Sequence, residues 1–582
     1  MSITITSTLL ATHIQSLSMD QLPQELIDRI SRYLSRDSLK NTLLLSHAFR
    51  FAIEKYSGAF AKLTLGEDNA EKFIATFSGH RLLYLRDLEF GISLPLPEDS
   101  ERRDNADQLS KHDKIFTQGI AYLFKTIKTV EERAESQNVY GKFRLIISSP
   151  SRPIIRGHSL SYHDHLSWRV HLLEPGELPL LKSVRSLEIG NNYCWTFGRR
   201  AEDPVCNRAP VQLDYRVMVD LVVKLPNLDY WGCRIGGGEW SPKTEQEAAG
   251  YLTQDWAGPR PDTRQDFAKA LLSAHVPDSL RRIRLDFLHD KCNSTLVDHL
   301  TAQPDLVSPA PNDLFSTSLH HLSHHLRRLH VRLLADETLF WLKDNCTSSW
   351  PNLESLIVMF HMVSPSGQWY FIGPNGEGRD TAAFKVTDTS YPPLETTEYD
   401  EEMVEQISHE GDRRYRGSPS SRNRIVPNDT TLRPFLVAFA QAASKMRALQ
   451  EALLCFPLAW DPNNDDDSDG EELETDLLSK NCPDPSELAW GLHYQVKGEP
   501  NFTRQGGNRP TEAPILWWKV GKWRPDAKLH EIFQQIGGMS AGNDLEEHWE
   551  DEDYGEGLVD HAYFEECVQE DVDRVGLVPL AN

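Results

Sequence analysis

The side chains best spaced to do chemistry are four histidines, His320, His321, His324 and His325, which form two pairs four residues apart. On a helix that spacing puts two imidazoles on one face, as a zinc site requires. No H-E-x-x-H arrangement places a general base between them and no third ligand stands out, so the pairs read as the polar surface of a helix. A metal-dependent hydrolase is the enzymatic alternative they leave. Asp465, Asp467, Asp469 and Gly470 begin like a calcium loop, but Glu472 stands at the normally apolar eighth position and Asp476 at the twelfth. A solvated acidic loop over 461–476 is the expectation. Gly236, Gly237 and Gly238 are followed by no Lys-Ser/Thr pair and lack dinucleotide spacing, and no G-x-S-x-G elbow occurs. The chain therefore reads as a non-catalytic binding protein with no metal or cofactor.

Charge points to recognition instead. Lys and Arg number 61 against 86 Asp and Glu, a formal charge of −25, so the chain as a whole repels phosphate backbones and anionic membranes. Neither nucleic acid nor membrane is an expected partner. Any affinity for anions must come from a local basic patch, and Arg282, Arg284, Arg328, His330 and Arg332 supply one. Arg forks suit carboxylate and phosphate. The competing expectation is that these arginines are solvated, or pair with the acidic loop or acidic tail of the same chain.

The eight cysteines include no C-x-x-C pair, which suits free thiols in a reducing compartment. Apolar runs such as 435–443 fall far short of the roughly 20 residues a membrane helix needs. No basic segment precedes an apolar one near Met1, so the four N-x-S/T sequons, at Asn293, Asn345, Asn428 and Asn501, read as chance matches. A cytoplasmic or nuclear location is expected.

The elements that would position these residues start near Leu22. Pro23 suits a first helical turn, Glu25 favours a helix N-terminus, and Leu26, Ile27, Ile30, Tyr33 and Leu34 follow at helical spacing. Asp37 or Ser38 can cap a second helix carrying Leu39, Leu43 and Leu44, and a third runs through Ser46, Phe49, Arg50 and Ile53. Three helices in about 35 residues are too few to bury all these leucines among themselves, so they need a partner surface. The pattern Leu22-Pro23-x-Glu25-Leu26, Ile30-x-x-Tyr33-Leu34, Ser38-Leu39 and Leu45-Ser46-x-x-Phe49-Arg50 resembles the F-box motif over residues 19–58. The resemblance implies docking onto the Skp adaptor of a cullin-RING ubiquitin ligase, with Leu22, Pro23, Leu26, Ile30, Leu34 and Leu39 as contacts. The alternative is a three-helix cap whose leucines face its own domain.

Beyond residue 80 an apolar-x2-apolar-x2-apolar-x-apolar pattern recurs, as in Leu82, Leu85, Leu88, Phe90 and in Leu181, Val184, Leu187, Ile189. Its third apolar position falls at 88, 145, 187, 231, 283, 329 and 356. Each copy ends in strand-like alternation, with candidate helices between copies, for example 215–224 and 266–274. This resembles a leucine-rich-repeat solenoid with long insertions, and an irregular α/β domain with one hydrophobic sheet is the alternative. In such a solenoid the side chains between the apolar strand positions face a concave, partner-binding surface. They are Ser186 and Glu188, then Arg282, Arg284 and Asp286, then Arg328, His330 and Arg332, then Ser355, Ile357 and Met359.

Further on, 362–380 reads as an aromatic hairpin and 391–429 as a mobile excursion. A long helix is expected over 431–454 with Pro434 in its first turn, then an apolar strand over 455–460. Residues 487–497 and 515–523 look like paired strands, and 526–536 like a helix. The expected organisation is α/β: a leader (1–18), the three-helix F-box (19–58), a leucine-rich-repeat-like array of short parallel strands and helices (59–380), a linker or insertion (381–430), a C-terminal part of the array (431–542) and an acidic tail (543–582). The expected function is that of a substrate receptor holding a protein target for the ligase, with a non-ligase scaffold as the alternative.

Overall fold

Residues 22–66, 68–95, 106–153, 169–190, 208–235, 263–288, 299, 302–341, 350–373, 375–385, 424–458, 488–497, 513–537, 545–549 and 559–560 are described by the structure, a computed structural model. The calcium-like loop, the glycine cluster, the leader and most of the acidic tail lie outside them.

Three short helices come first, α1 (Gln24–Tyr33), α2 (Arg36–Thr42) and α3 (His47–Tyr56). Ser35 caps α2, ahead of the expected Asp37 or Ser38, because its hydroxyl accepts the Ser38 amide; Ser46 caps α3 through the Phe49 amide. Ile27, Leu39, Phe49, Ala52 and Ile53 form their small core.

A thirteen-stranded, mostly parallel sheet follows. Its strands are β1 (Lys62–Leu65), β2 (Asp87–Phe90), β3 (Phe143–Ser148), β4 (Val184–Gly190), β5 (Tyr230–Arg234), β6 (Arg282–Asp286), β7 (Arg328–Leu333), β8 (Ser355–Phe360), β9 (Glu451–Leu458), β10 (Leu488–Gln495), β11 (Ile515–Lys519), β12 (Glu546–Trp549) and β13 (Val559–Asp560). β1 to β9 pair in sequence order, each parallel to the last. β10 then runs antiparallel to β9 and to β11, β12 adds in parallel, and β13 pairs with the end of β10. Parallel neighbours need crossovers, which include α4 (Ala70–Phe77), the 30-residue α5 (Ala106–Glu135), α6 (Arg216–Val222), α7 (Thr263–Ser273), α8 (Leu314–Ser323) and α9 (Asp429–Lys445). α10 (Ala527–Phe533) joins β11 to β12.

Register makes the sheet one-sided. Leu88, Leu145, Leu187, Trp231, Ile283, Leu329 and Leu356 are paired strand to strand in one row, which continues to Leu63 and Ala452 at its ends. From Leu88 to Ala452 every member is buried, in one cluster with Phe116, Phe124, Leu221, Phe267, Leu319 and Phe435 from the crossover helices. Side chains alternate between the faces of a strand, so a row sharing one parity packs all these helices on the same face. Intervals between strands vary widely, yet parity holds the register because a one-residue slip would expose an entire strand's apolar set.

Three expectations change at the C-terminal end. α9 stops at Lys445, and the apolar residues from Ala452 to Phe456 belong to β9, not to a helix reaching 454. Pro434 lies inside α9, not in its first turn. Residues 424–429 are tied down: Arg424 is buried and donates to the carbonyls of His299, Phe371 and Gly378 and to Thr381 Oγ1 at 2.8–3.2 Å. In the aromatic segment Val363 bridges Trp369, while Phe371–Ile372 forms a short strand that pairs outside any local hairpin, antiparallel with Val426–Pro427.

Candidate functional site

Two surfaces gather the residues singled out by the sequence. The first is the outer side of the three helices. The small core uses one stripe of each helix, and the remaining apolar side chains have nowhere to go: Leu26 is 47% exposed, Ile30 41%, Tyr33 79%, Leu44 96% and Leu45 48%. Among the six expected adaptor contacts, Pro23, Leu26 and Ile30 are exposed and Leu22 and Leu34 are half-buried. Leu39 is the exception. At 4% exposure it packs between Ile27 and α3 as part of the unit's own core, so it holds the helices together and is not presented. Tyr33, Leu44 and Leu45, which are presented, were not among the expected contacts.

A carboxylate ties this unit to the sheet. Glu54 of α3 is 5% exposed and receives Arg81 Nη2 at 2.6 Å and Nε at 3.1 Å, His80 Nε2 at 2.9 Å and Arg50 Nε at 3.3 Å. Burial alone would raise its pKa, but the hydrogen bonds from Arg81, His80 and Arg50 outweigh burial and hold it at about 2. Phe51 meets the His80 ring edge-on at 4.4 Å, and Arg81 lies over Phe60. Sequence reasoning had no access to this junction, because His80 and Arg81 stand 26 and 27 residues from Glu54.

The second surface is the sheet face opposite the helices. Strand pairing brings the expected basic residues together: Arg282 beside Arg328, Arg284 beside His330, and Asp286 beside Arg332. The face is less exposed than expected: Arg282, Arg328, Arg332 and Glu188 are half-buried, and the rest are buried. Arg284 is 8% exposed, His330 5%, Asp286 2%, and Ser186, Ser355, Ile357 and Met359 are buried too. Strands about 4.8 Å apart set long side chains flank to flank, so each covers its neighbour. Four of the five basic groups differ in what they have left to offer. Arg282 is spent on Asp229, and His330 Nε2 contacts Ser355 Oγ at 2.9 Å. Arg332 gives one nitrogen to Asp286 Oδ2 at 2.9 Å. Arg284 Nη1 and Arg332 Nε and Nη2 are buried without a hydrogen-bond partner. Burial, then the neighbouring Arg234, pushes the Arg284 pKa down. Beside it Tyr230 donates to Glu188 Oε2 at 3.0 Å, and burial pushes the Glu188 carboxyl up despite Arg284.

The His330 contact with Ser355 extends into a network. Ser355 Oγ donates to Glu451 Oε2 at 3.3 Å, and Glu451 Oε1 lies 3.3 Å from His493 Nε2. In a nucleophilic triad the carboxylate orients the histidine and leaves the serine proton to the base; here the carboxylate accepts from the serine itself. The order suits cross-strand linkage.

The four histidines separate. His320 is 0% exposed, its Nδ1 lies 3.2 Å from the Leu339 carbonyl, and burial, with His324 and His321 nearby, pushes its pKa down to about 4. It is a core residue, not part of a polar surface, because Trp350 closes over this end of α8: His324 stacks on its ring and its Nε1 donates to Ser323. His321 and His325 line an open groove of about 770 Å³ with His275 and Arg281. Among the described residues no group of three His, Cys, Asp or Glu is placed to hold a metal, and no described helix is long and apolar enough to cross a membrane.

No family model matches the chain, and no curated protein matches it in sequence.

Proposed function

We propose that the protein is a substrate receptor of a Skp-cullin-F-box ubiquitin ligase: α1 to α3 act as an F-box that seats the Skp adaptor, and the sheet with its helices presents a protein target. The observation that carries this reading is the set of apolar side chains left exposed on the three helices, Leu26, Ile30, Tyr33, Leu44 and Leu45, beside a core already complete without them. A self-contained cap would turn such residues toward its own domain. The order of the parallel strands, with helices on one face, supports reading the rest as an irregular leucine-rich-repeat-like solenoid, an architecture that binds partners on its helix-free side. Arg282, Arg284, Arg328, His330 and Arg332 lie on that side, and we assign target recognition to it.

The test is capture of the adaptor and cullin by the full chain. Leu26 and Ile30 keep nearly half their surface in water, so docking has roughly half of about 1.5–3 kcal/mol per side chain still to gain. Leu26→Ala with Ile30→Ala should therefore weaken capture by about 1.5–3 kcal/mol, roughly 10- to 150-fold, with the thermal transition unchanged. Undiminished capture by this variant refutes the F-box reading.

A further inference from the structure

Buried guanidinium groups normally meet acceptors on every side, because a buried N–H without one has lost its water and gained nothing. Arg284 Nη1, Arg332 Nε and Arg332 Nη2 break that rule together, on adjacent strands β6 and β7. Arg234, on β5, is in register with Asp286, which is in register with Arg332. The three arginines thus stand on three consecutive strands on one face, with Arg284 one row away.

We infer that this cluster is a binding site for a tetrahedral oxyanion, a phosphate group, in which Arg284 and Arg332 donate and Arg234 adds charge from the flank. Three features of the site point to that chemistry. Among the described residues, the carboxyls acting on Arg284 are Glu188 and Asp286, and Glu188 is already engaged by Tyr230. Asp286 accepts a single Arg332 nitrogen and leaves the other two free for an anion. Three orphan donors suit a group with three terminal oxygens, whereas one carboxylate offers two. Arg332 keeps 16% of its side chain exposed, so the cluster borders the solvent-exposed edge of this face. Two other basic residues of the face are not counted as donors: Arg282 is held by Asp229 and His330 by Ser355.

This deepens the receptor reading and rests on it only for what carries the phosphate; the site itself needs no adaptor. The experiment uses the full chain, titrated with inorganic phosphate, with O-phosphoserine and with acetate while binding heat and thermal transition are followed. Saturable binding of phosphate, at least tenfold tighter than acetate and weakened at least tenfold in Arg332→Gln, is the expected result. Tighter binding of phosphoserine than of phosphate assigns the site to a phosphorylated segment, and the reverse to the free ion. Arg284→Lys, which keeps charge and length but loses the fork, should weaken binding with the fold intact and guards against a variant that merely misfolds. No saturable phosphate binding, equal affinity for acetate, unaltered binding by Arg332→Gln, or binding only after removal of the acidic residues 543–582 overturns the proposal. Adaptor capture on the same preparations distinguishes failure of this site from failure of the receptor reading.

Discussion

Replacing Glu54 with Gln removes the charge at the junction between the three-helix unit and the sheet while keeping the side chain's size. A carboxyl at 5% exposure with its pKa drawn from 4.5 to about 2 stabilises the folded arrangement by about 3 kcal/mol at neutral pH. The sign follows from the direction of the shift. A folded-state pKa below the unfolded value gives stability that is complete above pH 4.5 and disappears as pH falls through 2, with about 2 kcal/mol already lost at pH 3. Comparing wild type with the variant at each pH cancels the other carboxyls. The measurement is amide hydrogen exchange of α1 and α3, whose opening energy should drop by about 3 kcal/mol in Glu54→Gln at pH 7 and by only about 1 kcal/mol at pH 3. Amides of β5 to β8 should exchange as before. A variant whose helices exchange like wild type at both pH values refutes the junction, and so does a loss that stays constant with pH.

His320 titrates in the opposite chemical sense with the same consequence: neutral in the fold and with its pKa moved from 6.5 down to about 4, it removes about 2 kcal/mol of stability as pH falls from 7 to 5. Urea midpoints of wild type and His320→Gln at these two pH values should therefore converge as pH falls. Arg264→Met leaves Asp313 buried without its ion-pair partner and should cost about 3–5 kcal/mol, read as a lowered urea midpoint. Arg424→Met strands the carbonyls of His299, Phe371 and Gly378 and should accelerate exchange in the Phe371–Ile372 ribbon with a loss of similar size.

The sheet was legible because its signal is periodic and local. The positions 88, 145, 187, 231, 283, 329 and 356 share a row although their spacing is irregular, since burial of one parity fixes register whatever length of chain lies between strands. The start of β9 was hidden for the converse reason, although its second half was read as a strand from 455. Ala452, Leu454 and Phe456 face the helices, but Leu453 and Cys455 on the other side are also buried, so the segment shows no alternation and its first residues read as more helix. Which side chains share the outer face was equally readable, whereas their burial was not: alternation says which way Arg284 points, and only its neighbours on β5 and β7 decide whether water reaches it. Glu54 and Arg424 left no trace at all, because their partners lie far along the chain and a lone charged residue reads as surface.

Two of the molecule's buried arginines show what a structural role looks like. Arg264 and Arg424 are as deeply buried as Arg284, at 3%, 2% and 8% exposure, and both meet acceptors. Arg264 gives Nη2 to Asp313 at 2.9 Å and lies over the ring of Phe315; Arg424 reaches three carbonyls and a hydroxyl and lies over Trp369. Each closes a gap between segments distant in sequence, which is work for a guanidinium fork with five donors. Arg284 closes no such gap: Gly232 next to it in the row carries no side chain that could accept, and a Cβ there would collide with Glu188 and Tyr230. A packing role for that position would be served by an aliphatic residue without the desolvation of a charge. A donor kept buried, beside two other arginines and in a chain of net charge −25, is instead explained by an acceptor that arrives from outside.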